Sequence, residues 1–348
     1  MAIVRCTKCG IVVLDSSEDG ENEVQCQECG SRYKIDLQQS QVKSFIRLND
    51  LPEEYVQSHL GKDTVKLDTV IYEKQGKIAR IILNRPEKLN ALNANMRWDI
   101  VRCIDMLEKD DGVSVGIIKG NGRAFSAGGD LGGVYSRYGG GTRPDGSRMR
   151  PSQRARLWVD ESNGQFAARA AKCWKPLICQ AHGYCLGWGL ILSNACDITI
   201  AAEDCLFGHP EQRQAFGGGV SVAEILLLGY KKAREMSLLG MKVDGKEAER
   251  IGWVNRAVPA DQLEAEVEKI AETIALMPRD ALAIGKVSTL MSLEALGVER
   301  GIAGTLLHSM ATNLRFDPDE MNFIRDRSKQ GTTTAIHKRD EAWEEKLK

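Results

Sequence analysis

At 348 residues, 43% of them hydrophobic, the chain is long enough for two domains and for a sizeable core. Its 47 basic and 48 acidic side chains nearly cancel, which excludes the bulk attraction that nucleic acids and anionic membranes exert on a strongly basic protein. The first residues, MAIVRCTKCG, lack an apolar signal core, and no stretch has the roughly 20 apolar residues of a membrane span, so the expected location is the cytoplasm.

Cys6 and Cys9 form one C-x2-C pair, and Cys26 and Cys29 form a second. This spacing predicts a four-cysteine metal site. Four thiolates in a closed tetrahedral shell favour structural zinc, with a rubredoxin-like iron site or unligated thiols as the alternatives. Asp15, Glu18, Asp19, Glu21, Glu23, Glu28 and Asp36 outnumber Arg5, Lys8, Arg32 and Lys34 in this region. A phosphate backbone would be repelled, so the zinc-ribbon-like module is expected to dock a protein partner or to stabilise the chain.

Residues 37–66 are polar and read as a linker with one short helix. Runs of β-branched residues at 69–73 and 77–83 flank Lys74-Gln75-Gly76, a strand-turn-strand signal. Met96, Ile100, Ile104 and Leu107 follow at helical spacing, Gly112 breaks the helix, and 115–118 read as a buried strand. Small residues then accumulate in 124–131, ahead of an expected helix start. Residues 135–154, rich in Gly, Arg and Ser, suit either a mobile lid or a surface insertion. Helix is expected over 155–173 and a strand over 175–181.

A glycine-spaced turn after His182 runs into an apolar helix ending near Asp197, then a strand at 198–201. Gly217-Gly218-Gly219 opens a helix holding Ala223, Ile225, Leu226 and Leu227, and the remainder reads as mostly helical with a charged tail from Lys329. This alternation indicates an α/β fold with a C-terminal helical region.

Two turns could carry chemistry: Ala127-Gly128-Gly129-Asp130 and Gly187-Trp188-Gly189. Each places small residues where a backbone N–H can point outward, and two such groups converging on a carbonyl oxygen would form an oxyanion hole. On spacing alone, glycine before a helix more often marks only a tight turn.

The ordered motifs Asn84-Arg85-Pro86…Asn90-Ala91-Leu92, Phe125-Ser126-Ala127-Gly128-Gly129-Asp130-Leu131, Lys175-Pro176…His182-Gly183-Tyr184…Leu186-Gly187…Cys196-Asp197-Ile198, Phe207-Gly208-His209-Pro210-Glu211 and Gly252-Trp253-Val254-Asn255 resemble the enoyl-CoA hydratase/isomerase (crotonase) superfamily. They run over about residues 67 to 300. The resemblance implies a spiral of ββα units for 67–265, following a ribbon at 1–36 and a linker at 37–66, with helices in 266–348 that assemble trimers or hexamers. It implies an acyl-CoA substrate, with coenzyme A as part of that substrate, and no nucleic-acid or membrane partner. Gly129 and Trp188 would donate the oxyanion N–H groups, Trp188 standing where the family usually has glycine. Glu87, Lys88 and Leu89 would lie along the CoA moiety, with Ala127 and Leu131 beside the thioester.

Ile191 stands where two-carboxylate hydratases of this family carry one glutamate, and only Glu211 matches the second. One carboxylate beside an oxyanion hole can shuttle a proton for double-bond isomerisation or activate water for hydration. CoA-thioester or carbon-carbon hydrolysis is the alternative, and a non-catalytic scaffold that docks partners through the ribbon is a further one. His209 could tune Glu211, although a packed or substrate-facing side chain is the simpler expectation; His182 reads as a core histidine. Tyr135, Tyr138, Asp160 and Glu161 could supply a second group. Cys173, Cys179, Cys185, Cys196 and Cys205 read as buried small hydrophobes.

Overall fold

A computed structural model of the protein describes residues 2–5, 12–16, 20–25, 32–38, 41–47, 59, 61–131, 141–142, 148–149, 164–214, 220–296 and 323–347. The four cysteines of the expected metal site lie outside these residues, as do Tyr135, Tyr138, Asp160, Glu161, Gly217-Gly218-Gly219, most of the 135–154 stretch and the helix start expected after Leu131. What is described of that stretch is one short antiparallel pair, Gly141–Thr142 with Arg148–Met149.

Strands β1 (Ala2–Arg5) and β2 (Val12–Ser16) pair antiparallel. A second small sheet is built from β3 (Gly20–Gln25), β4 (Arg32–Gln38) and β5 (Gln41–Arg47). The expectation of a linker is therefore corrected for residues 37–47, while 48–58 and 60, where its short helix would fall, lie outside the described residues. Gln38 pairs with Gln41, and β5 adds a third strand whose partner lies across a short-range turn, a pairing that carries no strict alternation in Gln41–Arg47 to announce it. A further strand, β6 (Thr64–Lys66), belongs to the main sheet.

That main sheet has seven strands, in the order β17 (Arg256–Val258), β14 (Ile198–Ala202), β12 (Leu177–Ala181), β9 (Val115–Gly120), β8 (Ile78–Leu83), β7 (Val70–Gln75), β6. The hairpin predicted around Lys74-Gln75-Gly76 is β7 (Val70–Gln75) against β8 (Ile78–Leu83), antiparallel, and from β8 onward the pairing is parallel through β9 (Val115–Gly120), β12 (Leu177–Ala181), β14 (Ile198–Ala202) and β17 (Arg256–Val258). Parallel strands are covered on both faces and so read as continuous apolar runs. In β12 every residue from Leu177 to Ala181 is buried.

The helix Ala94–Lys109 crosses from β8 to β9. Asn93 caps it by accepting from the Met96 amide, and Met96, Ile100, Cys103, Ile104 and Leu107 form its buried face. Each fully buried side chain of this size contributes roughly 1.5–3 kcal/mol. Asp99 fixes the helix to the start of β7, accepting from the Thr69 amide (3.0 Å) and hydroxyl (2.7 Å). The helix Leu263–Ala275 lies across β8, β9, β12 and β14, and Arg80–Glu268 and Lys119–Glu264 ion pairs tie it to the sheet.

A second, three-stranded sheet runs β13 (Tyr184–Leu186), β15 (Leu206–Gly208), β16 (Lys242–Val243). Twice the chain passes from a main-sheet strand to a strand of this second sheet and then to a helix: β12, β13 and Trp188–Asn194, then β14, β15 and Val222–Leu228. This is the expected ββα repetition. The helix before Asp197 is shorter than its apolar run suggests, because the first residues of that run form β13, which is paired by Leu206–Gly208. The C-terminal part likewise contains β16 and β17 among its helices, and the charged segment after Lys329 is the helix Thr332–Leu347 rather than a tail. Among the described residues, no helix is long and apolar enough to cross a membrane.

Candidate active site

Three chain segments meet where the two sheets adjoin. The first is the turn after β8. Leu89 and Asn90 both take positive φ (49° and 53°), and Asn90 is fully buried. Its side-chain amide donates to the carbonyls of Asn121 (2.9 Å) and Ala124 (2.8 Å), while its carbonyl oxygen accepts from the Arg85 amide at 2.8 Å. Asparagine tolerates the left-handed region and offers donors and an acceptor together, so one side chain locks two loops. Asn90→Ala is expected to cost about 3 kcal/mol of unfolding free energy by leaving buried groups unpaired; a loss under about 1 kcal/mol in chemical denaturation would contradict this.

The second segment is Ser126–Asp130. Ser126 Oγ donates to the Asn90 carbonyl (2.8 Å) and accepts from the Gly128 amide (3.1 Å). Leu92 N–H donates to the Gly128 carbonyl and the Asp130 amide donates to Leu92, while Arg85 bridges to Asp130 at 2.9 Å. The amides on both sides of Gly129 are thus committed, and the Gly129 amide itself makes no hydrogen bond among the described residues. Ala127 donates to the Leu89 carbonyl at 2.9 Å, so two of the residues expected near CoA are neighbours. Glu87 and Lys88 are exposed in a single 3-10 turn, Pro86–Lys88, and Leu131 closes the described part of the loop.

The third segment is Leu186–Asn194. Gly187 has φ 50° and precedes the helix Trp188–Asn194, whose first closing bond runs from the Ile191 amide to the Gly187 carbonyl. Trp188 therefore stands in the opening turn, where helix geometry directs amides back along the axis. Its indole lies under the Arg97 guanidinium (4.6 Å to the ring centroid) and beside the ring of Phe166. A Cβ on Gly129 would sit 3.4 Å from that indole, and one on Gly187 would sit 3.7 Å from the Gly128 Cα. The two glycine turns expected to form an oxyanion hole are in contact.

Glu211 completes the arrangement. It sits in the 3-10 segment Pro210–Gln214 directly after β15, and its Oε1 packs on Gly187 so closely that a Cβ there would lie 2.3 Å away. Its Oε2 is buried, makes no hydrogen bond among the described residues, and stands 3.4 Å from His209 Nδ1. Ile191 is half-buried and packs against the core, so no second carboxylate comes from that helix position.

His209 is also tied to a residue the sequence reading passed over. Its Nε2 lies 2.5 Å from Oε1 of Glu224, which is 1% exposed and accepts from the Ser221 amide and hydroxyl through Oε2. The signal was present: Ser221-x-x-Glu224 is the capping-box pattern at the start of Val222–Leu228. Burial by itself would lower the affinity of His209 for its second proton, but Glu224 and Glu211 outweigh it and hold the imidazolium well above the ordinary histidine range. Burial would raise Glu224, and the facing His209 cation reverses that and lowers it.

His182 is half-buried rather than a core residue, because it sits at the end of β12 where its Nε2 reaches the Gly122 carbonyl (2.9 Å). Cys173, Cys179, Cys185 and Cys205 are buried and free, and Cys196 is free beside them. Burial pushes the Cys173 thiol up to about 11 and raises those of Cys179, Cys185 and Cys205, so these are inert thiols as expected.

Residues 73–346 match the family model described as Enoyl-CoA hydratase/isomerase. The chain belongs to the enoyl-CoA hydratase/isomerase family. It is 31% identical to a Mycobacterium leprae protein named "Probable enoyl-CoA hydratase", over 79% of this chain and 97% of the relative. It is 29% identical to the peroxisomal Delta(3,5)-Delta(2,4)-dienoyl-CoA isomerase of Arabidopsis thaliana, over 68% of this chain and 85% of the relative. The crystal structure of an enoyl-CoA hydratase/isomerase from Xanthobacter autotrophicus Py2 superposes with a TM-score of 0.68 at 32% identity, covering 80% of this chain and 99% of that one. The protein is accordingly an acyl-CoA enzyme of the hydratase/isomerase class with the mixed α/β fold of that family.

Proposed function

We propose that the protein forms an acyl-CoA thioester enolate between Gly129, Trp188 and Glu211 and reprotonates it with Glu211 as the single acid/base. The observation that carries this reading is the packing of Glu211 Oε1 on Gly187, at the junction of the two glycine turns. The amides of Gly129 and Trp188 receive the thioester oxygen, and each such donor is worth roughly 3 to 4 kcal/mol as charge develops. Glu211 takes a proton from the carbon chain, the C–H electron pair moves to the thioester oxygen, and the enolate collapses as the proton returns to another carbon. The result is double-bond isomerisation. In hydration, Glu211 takes its proton from water adding to the β-carbon and delivers it to the α-carbon, so one carboxylate suffices for both.

Leu89, Ala127 and Leu131 flank the acyl and pantetheine path in this reading, with Glu87 and Lys88 at its exposed outer end. Mass spectrometry of products from a panel of linear, branched, cyclic and aromatic enoyl-CoA thioesters tests it: a water adduct or a shifted double bond is expected. Free CoA or a ring-opened acid as the main product would assign the site to hydrolysis instead.

The N-terminal residues fit a structural zinc held by Cys6, Cys9, Cys26 and Cys29. Each C-x2-C pair is bracketed by antiparallel strands, the first by β1 and β2 and the second by β3 and β4. Elemental analysis should find about one zinc per chain, lost on substitution of these cysteines; a metal-free and folded N-terminal region would contradict it. The catalytic core would then follow this module, with the C-terminal helices assembling copies of the chain. Exposed Leu276, Ile284, Met291 and Leu296, on and beside the helix Arg279–Ala295, give self-association an apolar surface to cover.

A further inference from the structure

Beyond the proton-transfer role given to Glu211, the pair behind it has a chemistry of its own. Both ring nitrogens of His209 face carboxylate oxygens, Nδ1 towards Glu211 Oε2 at 3.4 Å and Nε2 towards Glu224 Oε1 at 2.5 Å. A neutral imidazole would turn a lone pair on one of them. Only the doubly protonated ring presents a hydrogen to each. Glu224 cannot swing away, because Ser221 holds its other oxygen with two hydrogen bonds and the carboxylate begins a capped helix. A carboxylate this deeply buried requires such a cation.

We propose that His209, braced by Glu224, is the positioning residue of Glu211: its Nδ1 faces Oε2 and so steers Oε1 towards Gly187. This rests on the reading of Glu211 as the acid/base. Among the described residues, the charged side chains that set the charge of His209 are Glu211 and Glu224. The cations on adjoining elements, Arg213 and Lys242, are directed to Asp340, and the Trp253 ring lies beside the imidazole. Where a two-carboxylate enzyme sets a second acid across from its base, this chain sets a fixed cation behind it.

The test compares full-length wild type, His209→Gln and Glu224→Gln in two measurements. The first is the pH dependence of kcat and KM on the thioester that the wild type turns over. His209→Gln should leave KM within about twofold, lower the plateau kcat about tenfold and move the acidic limb up by roughly one pH unit, as removal of a cation facing a carboxylate does. Glu224→Gln, which can still accept from Ser221, should move the limb in the same direction by less. The second measurement is independent of turnover: the ring nitrogen shifts of His209, assigned by their loss in His209→Gln, should report two protonated nitrogens at neutral pH in the wild type and fewer in Glu224→Gln. A neutral His209 ring overturns the proposal, and so does an unmoved acidic limb in both variants, which would reduce the pair to structural support. Undiminished turnover in Glu211→Gln overturns the reading beneath it instead, and leaves the ring shifts recorded on the wild type as they stand.

Discussion

Glu211→Gln is expected to lower kcat by about 10³-fold on whichever enoyl-CoA the enzyme accepts, with little change in KM, because general acid–base transfer by a positioned side chain contributes about 10²–10⁴-fold. Glutamine fills the same space against Gly187 and keeps an oxygen beside His209, so what is lost is the proton acceptor. The expected effect lies towards the upper end because Ile191, an apolar side chain, occupies the position from which a second carboxylate would come. Single-turnover and steady-state kinetics on the purified variant check this. Activity within tenfold of wild type would move the base elsewhere.

Gly187→Ala should be nearly as damaging, for a geometric reason. The residue has φ 50° and ψ −117°, outside the left-handed helical well, a conformation that an alanine adopts at a cost of roughly 1–3 kcal/mol. Its methyl would fall 2.3 Å from Glu211 Oε1 and 3.2 Å from its Cδ, so the carboxylate must retreat. Misplacing a catalytic group by about 1 Å can cost about 10²-fold, and that is the fall in kcat expected here. Gly76→Ala is the control. It has φ 58° but nothing within 4 Å of the added methyl, so it carries the backbone strain without the displacement and should leave turnover unchanged. Equal loss in the two variants would show that destabilisation, not the position of Glu211, is responsible.

Much of this architecture is legible in the order of residues. The hairpin of β7 and β8, the helix Ala94–Lys109 with its Met96, Ile100, Ile104 and Leu107 stripe, and the apolar strands β9 and β12 all announce themselves by local periodicity. The short strands do not. Tyr184–Leu186 looks like part of a glycine turn because its partner, Leu206–Gly208, lies beyond a helix and another strand, and three residues are too few to show alternation. The helix Thr332–Leu347 looks like a tail because its charge conceals the few positions, Ala335 among them, that are buried.

The site divides in the same way. Glu211 and the two glycine turns stand out as motifs, and Ile191 stands out as a substitution within one. Asn90 was visible only as part of a signature; its work in joining the turn after β8 to the loop after β9 depends on two positive-φ residues that no pattern of polarity reveals. Glu224 was visible as a helix cap. Its second function arises because the capped helix returns its first turn to the end of β15, which brings Glu224 to His209 across fifteen positions of sequence.

The central claim is that one carboxylate and two backbone amides create and quench a thioester enolate. Exchange of the α-hydrogen of a bound acyl-CoA with heavy water measures that step directly, whether the overall outcome is hydration or isomerisation. Wild-type protein should incorporate deuterium at the α-carbon, and Glu211→Gln should abolish the incorporation while still binding the thioester. Exchange that proceeds undiminished in Glu211→Gln would contradict the account, and so would wild-type turnover in which no α-deuterium appears in substrate or product and no deuterium placed at the α-carbon of the substrate moves to another carbon.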